Sequence, residues 1–466
     1  MARRTDKMAI VSTSDSASWA DGTAAPFWLD TPDRPAARPP LDGEVRTNLA
    51  VVGGGFTGLW TALMAKEREP VRDVVLIEAR RIAEEATGRN GGFCSASLTH
   101  GEANGRERWP DEYDQLHRLG LENLDEIEAT IRRHGIDCDF NRTGELTVAT
   151  RPHELADFDP GDPDFLDAEA IRGELDSPTY LGGTWDREGT AMLDPARLAW
   201  GLAAAAEAAG VRIVEQTPVT RLQSRGGRVV LTTATGTVVA DRVALATNAF
   251  PPLLRRLRLH TVPVWDYVLM SAPLTDDQLA SIGWQGRQGV ADSGNQFHYY
   301  RLTADNRILW GGFDAVHHFG RTISEGHRDR PQTYAALATN FFTTFPQLAG
   351  LRFTHHWGGV IDTCTRFCAF FGTAHAGRVA YATGYTGLGV GASRFGANVM
   401  LDLLSGQETE RTRLEMVRTR PLPFPPEPFA WIGIAITTWS LKRADRRGRR
   451  NLWLRVLDRF GLGFDS

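Results

Sequence analysis

Thr47-Asn48-Leu49-Ala50-Val51-Val52 is an apolar run that meets Gly53-Gly54-Gly55-Phe56-Thr57-Gly58 at once, and Phe56 to Glu69 then carries apolar residues at helical spacing. Strand, glycine turn and helix follow one another without a gap. Gly53 permits a sharp turn out of the strand, Gly55 lets a pyrophosphate approach the backbone, and Gly58 lets the helix pack close to the sheet. Ala62 keeps that packing face small. The amides that open the helix, at the positive end of its dipole, suit phosphates. A second apolar run, Asp73 to Ile77, ends on Glu78, 20 residues after Gly58. At the carboxyl end of a strand Glu78 is placed to accept from both hydroxyls of a ribose, and its charge disfavours a 2′-phosphate. The pattern predicts a bound FAD or NAD rather than NADP. Among 47 glycines a lone triplet would mean little, but the flanking strand, helix and acid separate this one from a Gly-rich hairpin turn.

Composition narrows the classes. A chain of 466 residues holds two or more domains, and 52 basic against 57 acidic residues argue against a general nucleic-acid binder. Lysine is confined to Lys7, Lys66 and Lys442, so a pyridoxal-phosphate or Schiff-base mechanism has almost no candidate nucleophile. Cys94, Cys138, Cys364 and Cys368 are too scattered for a disulfide scaffold, which makes a reducing, cytoplasmic setting the expectation. Cys364 and Cys368 read as two small buried side chains, with a redox pair as the alternative. His317-His318 and His355-His356 lack further ligands at metal spacing and read as strand or loop residues, so no metal is expected. Met1 to Asp30 contains no apolar signal core, and no stretch of about 18 apolar residues occurs anywhere.

Residues 1–44 read as an extended arm rich in Ser, Asp, Ala and Pro, with Phe27-Trp28 available to pin it. Glu84 to Gly92 is a small-residue loop suited to close backbone approach. A long helix is expected from Asp111 to His134, and Gly144 to Val148 is strand-like. Asp194-Pro195 caps a helix that ends at Gly210, followed by strands at Val211 to Glu215, Arg228 to Thr233, Thr237 to Ala240 and Arg242 to Ala249. Residues 261–357 change texture: strand-like runs at Val264 to Met270, Phe297 to Leu302, Arg307 to Gly311 and Phe353 to Trp357 predict an antiparallel sheet, interrupted by a helix from Thr333 to Phe342. Nucleotide-style sequence then returns. Val379 to Thr383 is a strand, Gly384 to Gly391 a glycine loop, and Ala392 to Leu404 a helix, so a long cofactor would have one end at each helix terminus.

These motifs, in this order, resemble the D-amino acid oxidase superfamily of FAD-dependent oxidoreductases, in the branch of glycine, sarcosine and gamma-glutamylputrescine oxidases. The matches are Val51 to Gly58, Gly88-Arg89-Asn90-Gly91-Gly92, Ala246-Thr247-Asn248, Tyr299-Tyr300-Arg301-Leu302 to Gly311-Gly312, Trp357-Gly358-Gly359 and Gly384 to Ser393. The resemblance covers residues 47 to about 410. It implies an α/β architecture in which a Rossmann-like FAD-binding domain (45–110, 187–260 and 358–410) interleaves with an α+β antiparallel-sheet substrate domain (111–186 and 261–357). It further implies that Gly53, Gly55 and Gly58, with Phe56 and Thr57 in the same turn, and Glu78 hold the ADP half, with Arg80 near the ribose or adenine and Val219 touching the adenine through its backbone. Arg89, Asn90 and Gly91 would approach the isoalloxazine, Thr247 belongs to the same cofactor set, and Gly387, Gly389 and Val390 would sit at the pyrimidine edge, where a helix N-terminus stabilises the charge of the reduced ring. Gly359 stands near the position of the cysteine that holds the flavin covalently in the sarcosine branch, so non-covalent FAD is expected. The lysine that assists oxygen chemistry in that branch has no counterpart.

The resemblance also implies the reaction: a neutral amine or amino acid passes its α-hydride to flavin N5, the imine hydrolyses in water, and O2 reoxidises the flavin. A dehydrogenase passing electrons to a quinone or carrier protein, and a nucleotide-binding protein without redox activity, are the alternatives. For the substrate wall Arg301 is the leading candidate, because a guanidinium can take a carboxylate bidentately. Strand alternation sets Tyr299 beside it and Tyr300 on the opposite face. In a chain this rich in arginine a structural role for Arg301 stands as the alternative. His298, Trp357 and Arg366 complete the set. Residues 411–466 form a Pro-rich and basic tail: Pro421 to Pro426 is stiff, Phe429 to Trp439 apolar, and Lys442 to Arg450 strongly basic, ahead of the amphipathic run Leu452 to Leu457. Packing against its own body or a sister subunit, or at most a peripheral membrane contact, are the readings open for it.

Overall fold

A computed structural model describes residues 17–462; the first 16 residues of the expected arm, and Lys7 with them, lie outside. Two eight-stranded sheets organise the chain. In the first, Gly43–Val52 lies between Gly236–Leu245 and Val74–Ile77, with Arg212–Val214 beyond one side and Val379–Thr383 and Phe370–Ala374 beyond the other. The central pairs are parallel. Ala50, Val51, Leu76 and Ala244 are buried because helices cover the sheet, which is what parallel pairing demands. Phe56–Arg68 and Gly389–Ser405 pack on one another, joined by Pro195–Ala208 and Tyr113–His134, so the long helix after residue 111 contributes Leu116, Leu124 and Ile127 to this first core.

The second sheet runs Phe353–Cys364, Thr261–Ser271, Ile308–Gly312, His298–Leu302, Gly289–Asp292, Glu145–Ala149, Gly182–Asp186, Phe165–Asp167. It is antiparallel except where Glu145–Ala149 meets Gly289–Asp292 in parallel. The helix Pro331–Thr344 closes its far face, setting Phe341 against Trp310 and Phe345 beside Tyr300, whose hydroxyl meets that of Tyr180 at 2.7 Å.

Three local expectations change. Thr237 to Ala240 and Arg242 to Ala249 form one strand, Gly236–Leu245, because the polar Asp241-Arg242 pair sits half-exposed, with Asp241 accepting from Asn48 at 3.0 Å, instead of breaking the ladder. Arg221–Arg225 is a polar edge strand with no apolar alternation to betray it. The strand expected to stop at Trp357 continues to Cys364, since Gly358 is not a turn: a Cβ there would lie 2.8 Å from the ring of Tyr267 and 2.9 Å from the Arg328 carbonyl.

The arm is pinned as its aromatic pair suggests. Trp28 is buried and its Nε1 donates to the Asn90 carbonyl at 2.9 Å, while Thr23 bonds along the strand Phe353–Cys364 through Thr354 and His356. All four cysteines are buried and free. His355 and His356 lie on that strand, and His317 and His318 lie in a loop. No helix among the described residues is long and apolar enough to cross a membrane.

Candidate active site

Parallel register builds the site. Val52 pairs with both Leu245 and Ile77, and Ile77 with Val214, so the next residues on each strand, Gly53, Ala246, Glu78 and Glu215, emerge side by side at the carboxyl edge of the sheet. That edge is where ligands bind in open α/β sheets. A cavity of about 1240 Å3 runs along it, larger than the about 300–1,000 Å3 typical of small-molecule pockets and suited to an extended dinucleotide.

The glycines behave as their spacing implies. Gly53 has φ +113°, and a Cβ on it would lie 2.3 Å from the Ala246 carbonyl. A Cβ on Gly55 would crowd Thr87 Oγ1 at 2.9 Å, and one on Gly58 would collide with the Gly53 carbonyl. Gly55, the cap of the helix Phe56–Arg68, and Leu388, the cap of Gly389–Ser405, supply no side-chain acceptor; Thr87 Oγ1 takes the Phe56 amide at 3.1 Å, and both helix N-termini line the cavity with the positive ends of their dipoles. The chemistry of this cradle fits a dinucleotide.

Glu78 accepts from the Gly54 amide at 2.5 Å and the Arg80 amide at 2.7 Å. Burial pushes its carboxyl up against the pull of those two bonds. Two donors leave further lone pairs for ribose hydroxyls. Thr217 and Gln216 bond back to the carbonyls of Glu78 and Arg80, which carries Val219 to the same end of the cavity. Arg80 itself is half-exposed and paired with Glu325 at 2.9 Å.

Of the residues singled out from sequence, Gly53, Gly55, Phe56, Thr57, Glu78 and Arg80 line one end of the cavity. Val219 joins them there, and Asn90, Thr247, Gly387, Gly389 and Val390 line the same cavity. Gly58 packs behind the turn. Arg89 and Gly91 lie outside this cavity: Arg89 donates to the carbonyls of Glu84 and Gly358, both at 3.0 Å, and burial lowers its pKa to about 10. A Cβ on Gly91 would press on the Tyr299 ring at 2.8 Å. Asn90 closes the loop between them by donating to Ala86 and Thr87 and accepting from Gly92.

The substrate-wall candidates separate. Tyr299 and Arg301 do share the sheet face turned toward Gly91 and Gly92, as alternation requires. Arg301, however, is 1% exposed, and its guanidinium donates to the Leu193 carbonyl at 2.6 Å and the Leu302 carbonyl at 3.2 Å, with Asp139 at 3.7 Å. Its Nε and Nη1 donors go to backbone carbonyls and its Nη2 faces Asp139, the arrangement of the structural alternative. The same alternation puts His298 on the Tyr300 face, stacked on Trp310 and held between Asp292 at 2.5 Å and Asn340 at 3.0 Å. Arg366 is buried against Trp109 and donates to the carbonyls of Cys368, Ala369 and Thr419. Trp357 donates to the Arg89 carbonyl at 2.9 Å and lines a separate cavity of about 380 Å3. Tyr299 lines neither cavity; its ring packs between Gly91 and Gly311, and its hydroxyl donates at 2.5 Å to Asp266, whose pKa burial raises to about 6.

Sequence reasoning missed Asp362 and Tyr385. Asp362, buried on the strand Phe353–Cys364, lines the cavity and accepts from the Gly384 amide at 2.5 Å and Thr383 Oγ1 at 3.0 Å, fixing the second glycine loop; burial raises its pKa to about 6. Tyr385 takes a 3.1 Å bond from Thr57 and so ties one glycine turn to the other. Asp362 stands three residues past Trp357-Gly358-Gly359, beyond the point where the strand was read as ending, and Tyr385 lies inside the quoted Gly384 to Ser393, where only the fold shows its reach to Thr57.

A family model described as FAD dependent oxidoreductase matches residues 48–403. The chain is 32% identical over 408 residues to gamma-glutamylputrescine oxidoreductase of Escherichia coli, covering 83% of this chain and 89% of that one. It is 28% identical over 411 residues to the probable oxidoreductase OrdL of Haemophilus influenzae, covering 82% and 88%. Among solved structures, glycine oxidase from Geobacillus kaustophilus superposes with a TM-score of 0.66 at 20% identity, over 81% of this chain and all of that one, a likeness of fold.

Proposed function

The chain belongs to the FAD-dependent oxidoreductase family, and we propose that it oxidises a small amine or amino acid, with FAD held non-covalently along the carboxyl edge of the first sheet. The observation that carries this reading is one continuous cavity lined by both glycine turns and by the N-termini of the helices Phe56–Arg68 and Gly389–Ser405. Bound there, FAD supplies a two-electron hydride acceptor. Glu78 would hold the ribose, and the positive end of the helix Phe56–Arg68 would face the phosphates across Gly55, which has no side chain to keep them away. Gly387, Gly389 and Val390, at the start of the helix Gly389–Ser405, offer N–H groups to the negative charge that accumulates on reduction. Tyr299, braced by Asp266 and packed over Gly91, serves as the polar contact of the substrate wall, orienting the amine. Glycine and gamma-glutamylputrescine, the compounds in the relatives' names, both carry an amine.

Every cysteine is buried and none lines the cavity, which supports non-covalent attachment. Acid precipitation of the yellow protein should release all flavin to the supernatant; flavin retained in the pellet contradicts this.

Oxygen is the acceptor in the first reading. A carrier or quinone is favoured by one observation: neither Lys66, which donates to the carbonyls of Pro70 and Arg72, nor Lys442, paired with Asp314, lines the cavity. Turnover in air separates them: stoichiometric peroxide supports oxygen, whereas turnover only with an added quinone supports the carrier.

A further inference from the structure

The C-terminal hairpin, helix Phe429–Arg447 followed by Leu452–Arg459, wears its amphipathicity inside out. On the longer helix the residues turned to the body are small or polar: Ala430, Ser440, Ala444 and Asp445. Phe429, Ile432, Ile436 and Trp439 stand at i, i+3, i+7 and i+10, one stripe of a helix, and that stripe faces solvent, with Phe429 67% and Trp439 55% exposed. The helix is docked by polar contacts: Asp445 accepts from the amides of Asn295 and Gln296 at 3.1 and 3.0 Å, and Lys442 pairs with Asp314. Asn451 donates to Ser440 and Trp453 to Thr437, so the second helix folds back on the first and adds Leu452, Val456 and Phe460 to the exposed apolar surface. The stripe Phe429, Ile432, Ile436 and Trp439, with Leu452, Val456 and Phe460, therefore stands outside the protein's own core.

Charge identifies what covers them. Between residues 429 and 462 stand eight basic side chains against two acidic ones, a formal +6 within a chain of −5. Asp445 is buried and Asp458 is paired with Arg450, so no free acid offsets Arg443, Arg446, Arg447, Arg449, Arg455 and Arg459 beside the apolar stripe. A second copy of this chain would present the same positive surface to itself, since a two-fold contact brings one patch against its own copy. A negatively charged lipid surface neutralises it, and an exposed Phe–Trp–Ile face rimmed by arginine is what settles at a headgroup boundary. We propose that residues 429–462 form an in-plane anchor that docks the enzyme on an anionic bilayer.

The test is vesicle flotation of the purified full chain at low salt, with sedimentation velocity in parallel. Wild-type protein is expected to float with vesicles of phosphatidylcholine containing about 30% phosphatidylglycerol, far less with phosphatidylcholine alone, and to be released by salt. The double substitution Ile436→Ser, Trp439→Ser should lower the bound fraction about tenfold or more. Arg446→Glu with Arg447→Glu should remove the preference for the anionic vesicles. Both variants alter exposed positions and should keep wild-type flavin absorbance and melting temperature. Failure of wild type to float with anionic vesicles overturns the proposal, as does unchanged flotation of Ile436→Ser, Trp439→Ser. Conversion of a wild-type dimer to a monomer by those substitutions without vesicle binding also overturns it, assigning the face to a second copy.

Discussion

Arg301 and Tyr299 stand two residues apart on one face of a strand, and the chemistry of each is decided by what lies opposite. Opposite Arg301 are the carbonyls of Leu193 and Gly92. Arg301→Ala strands those carbonyls and empties a buried site, so it should cost about 2–4 kcal/mol in unfolding experiments. It should leave unchanged the ratio of kcat/KM for an amino acid over the matching amine without a carboxylate; a collapse of that ratio would restore the anchor role. Opposite Tyr299 is Asp266. Its pKa is raised to about 6, so it is ionised and a full acceptor only above that pH. A plot of kcat/KM against pH should rise through about 6, apart from any inflection due to the substrate amine, and Asp266→Asn should erase that step. Alternation along His298–Leu302 made the facing of these side chains legible in sequence. Their partners, far away in the chain, were not, and the backbone carbonyls that Arg301 meets favour the structural tie that the sequence left as its alternative.

The glycine turns were readable because their requirement is local. Gly53→Ala would force a Cβ into a left-handed residue already 2.3 Å from the Ala246 carbonyl, so the variant should emerge from gel filtration without flavin while wild type stays yellow. The strand Phe353–Cys364 was legible only to Trp357, because Gly358-Gly359 has the look of a turn until Tyr267 is seen to need the space. Asp362 lies in the part that was lost. Its folded pKa, about 6, exceeds the ordinary 3.8, so the native state holds a proton that the unfolded chain releases between those values, and stability falls as pH rises through that window. Asp362→Asn removes this dependence. Between pH 4 and 7 the wild-type apoprotein should lose about 1–3 kcal/mol more than the variant in denaturant titrations, and parallel curves would show that Asp362 does not titrate there.

At the scale of the molecule, residues 53 and 390 meet in one cavity although most of the chain lies between them, with the second sheet inserted. The two sheets were legible from a change in texture, from strand, glycine turn and helix units to strand-like runs separated by turn signals. How the tail sits was not, since helical spacing gives a stripe but not the side it faces. A ligand touching both ends of the chain should stabilise the whole: saturating FAD at about 100 Kd adds about 2.7 kcal/mol, and the apoprotein should melt correspondingly lower. The central claim is that an amine reduces a flavin seated between Glu78 and the Gly387–Val390 turn, and anaerobic mixing of the purified yellow protein with amino acids, N-methyl amino acids and polyamine derivatives tests it most directly. At least one of these compounds should bleach the visible flavin band to the fully reduced form; a protein that is colourless and refuses added FAD, or a flavin that no amine bleaches, would contradict it.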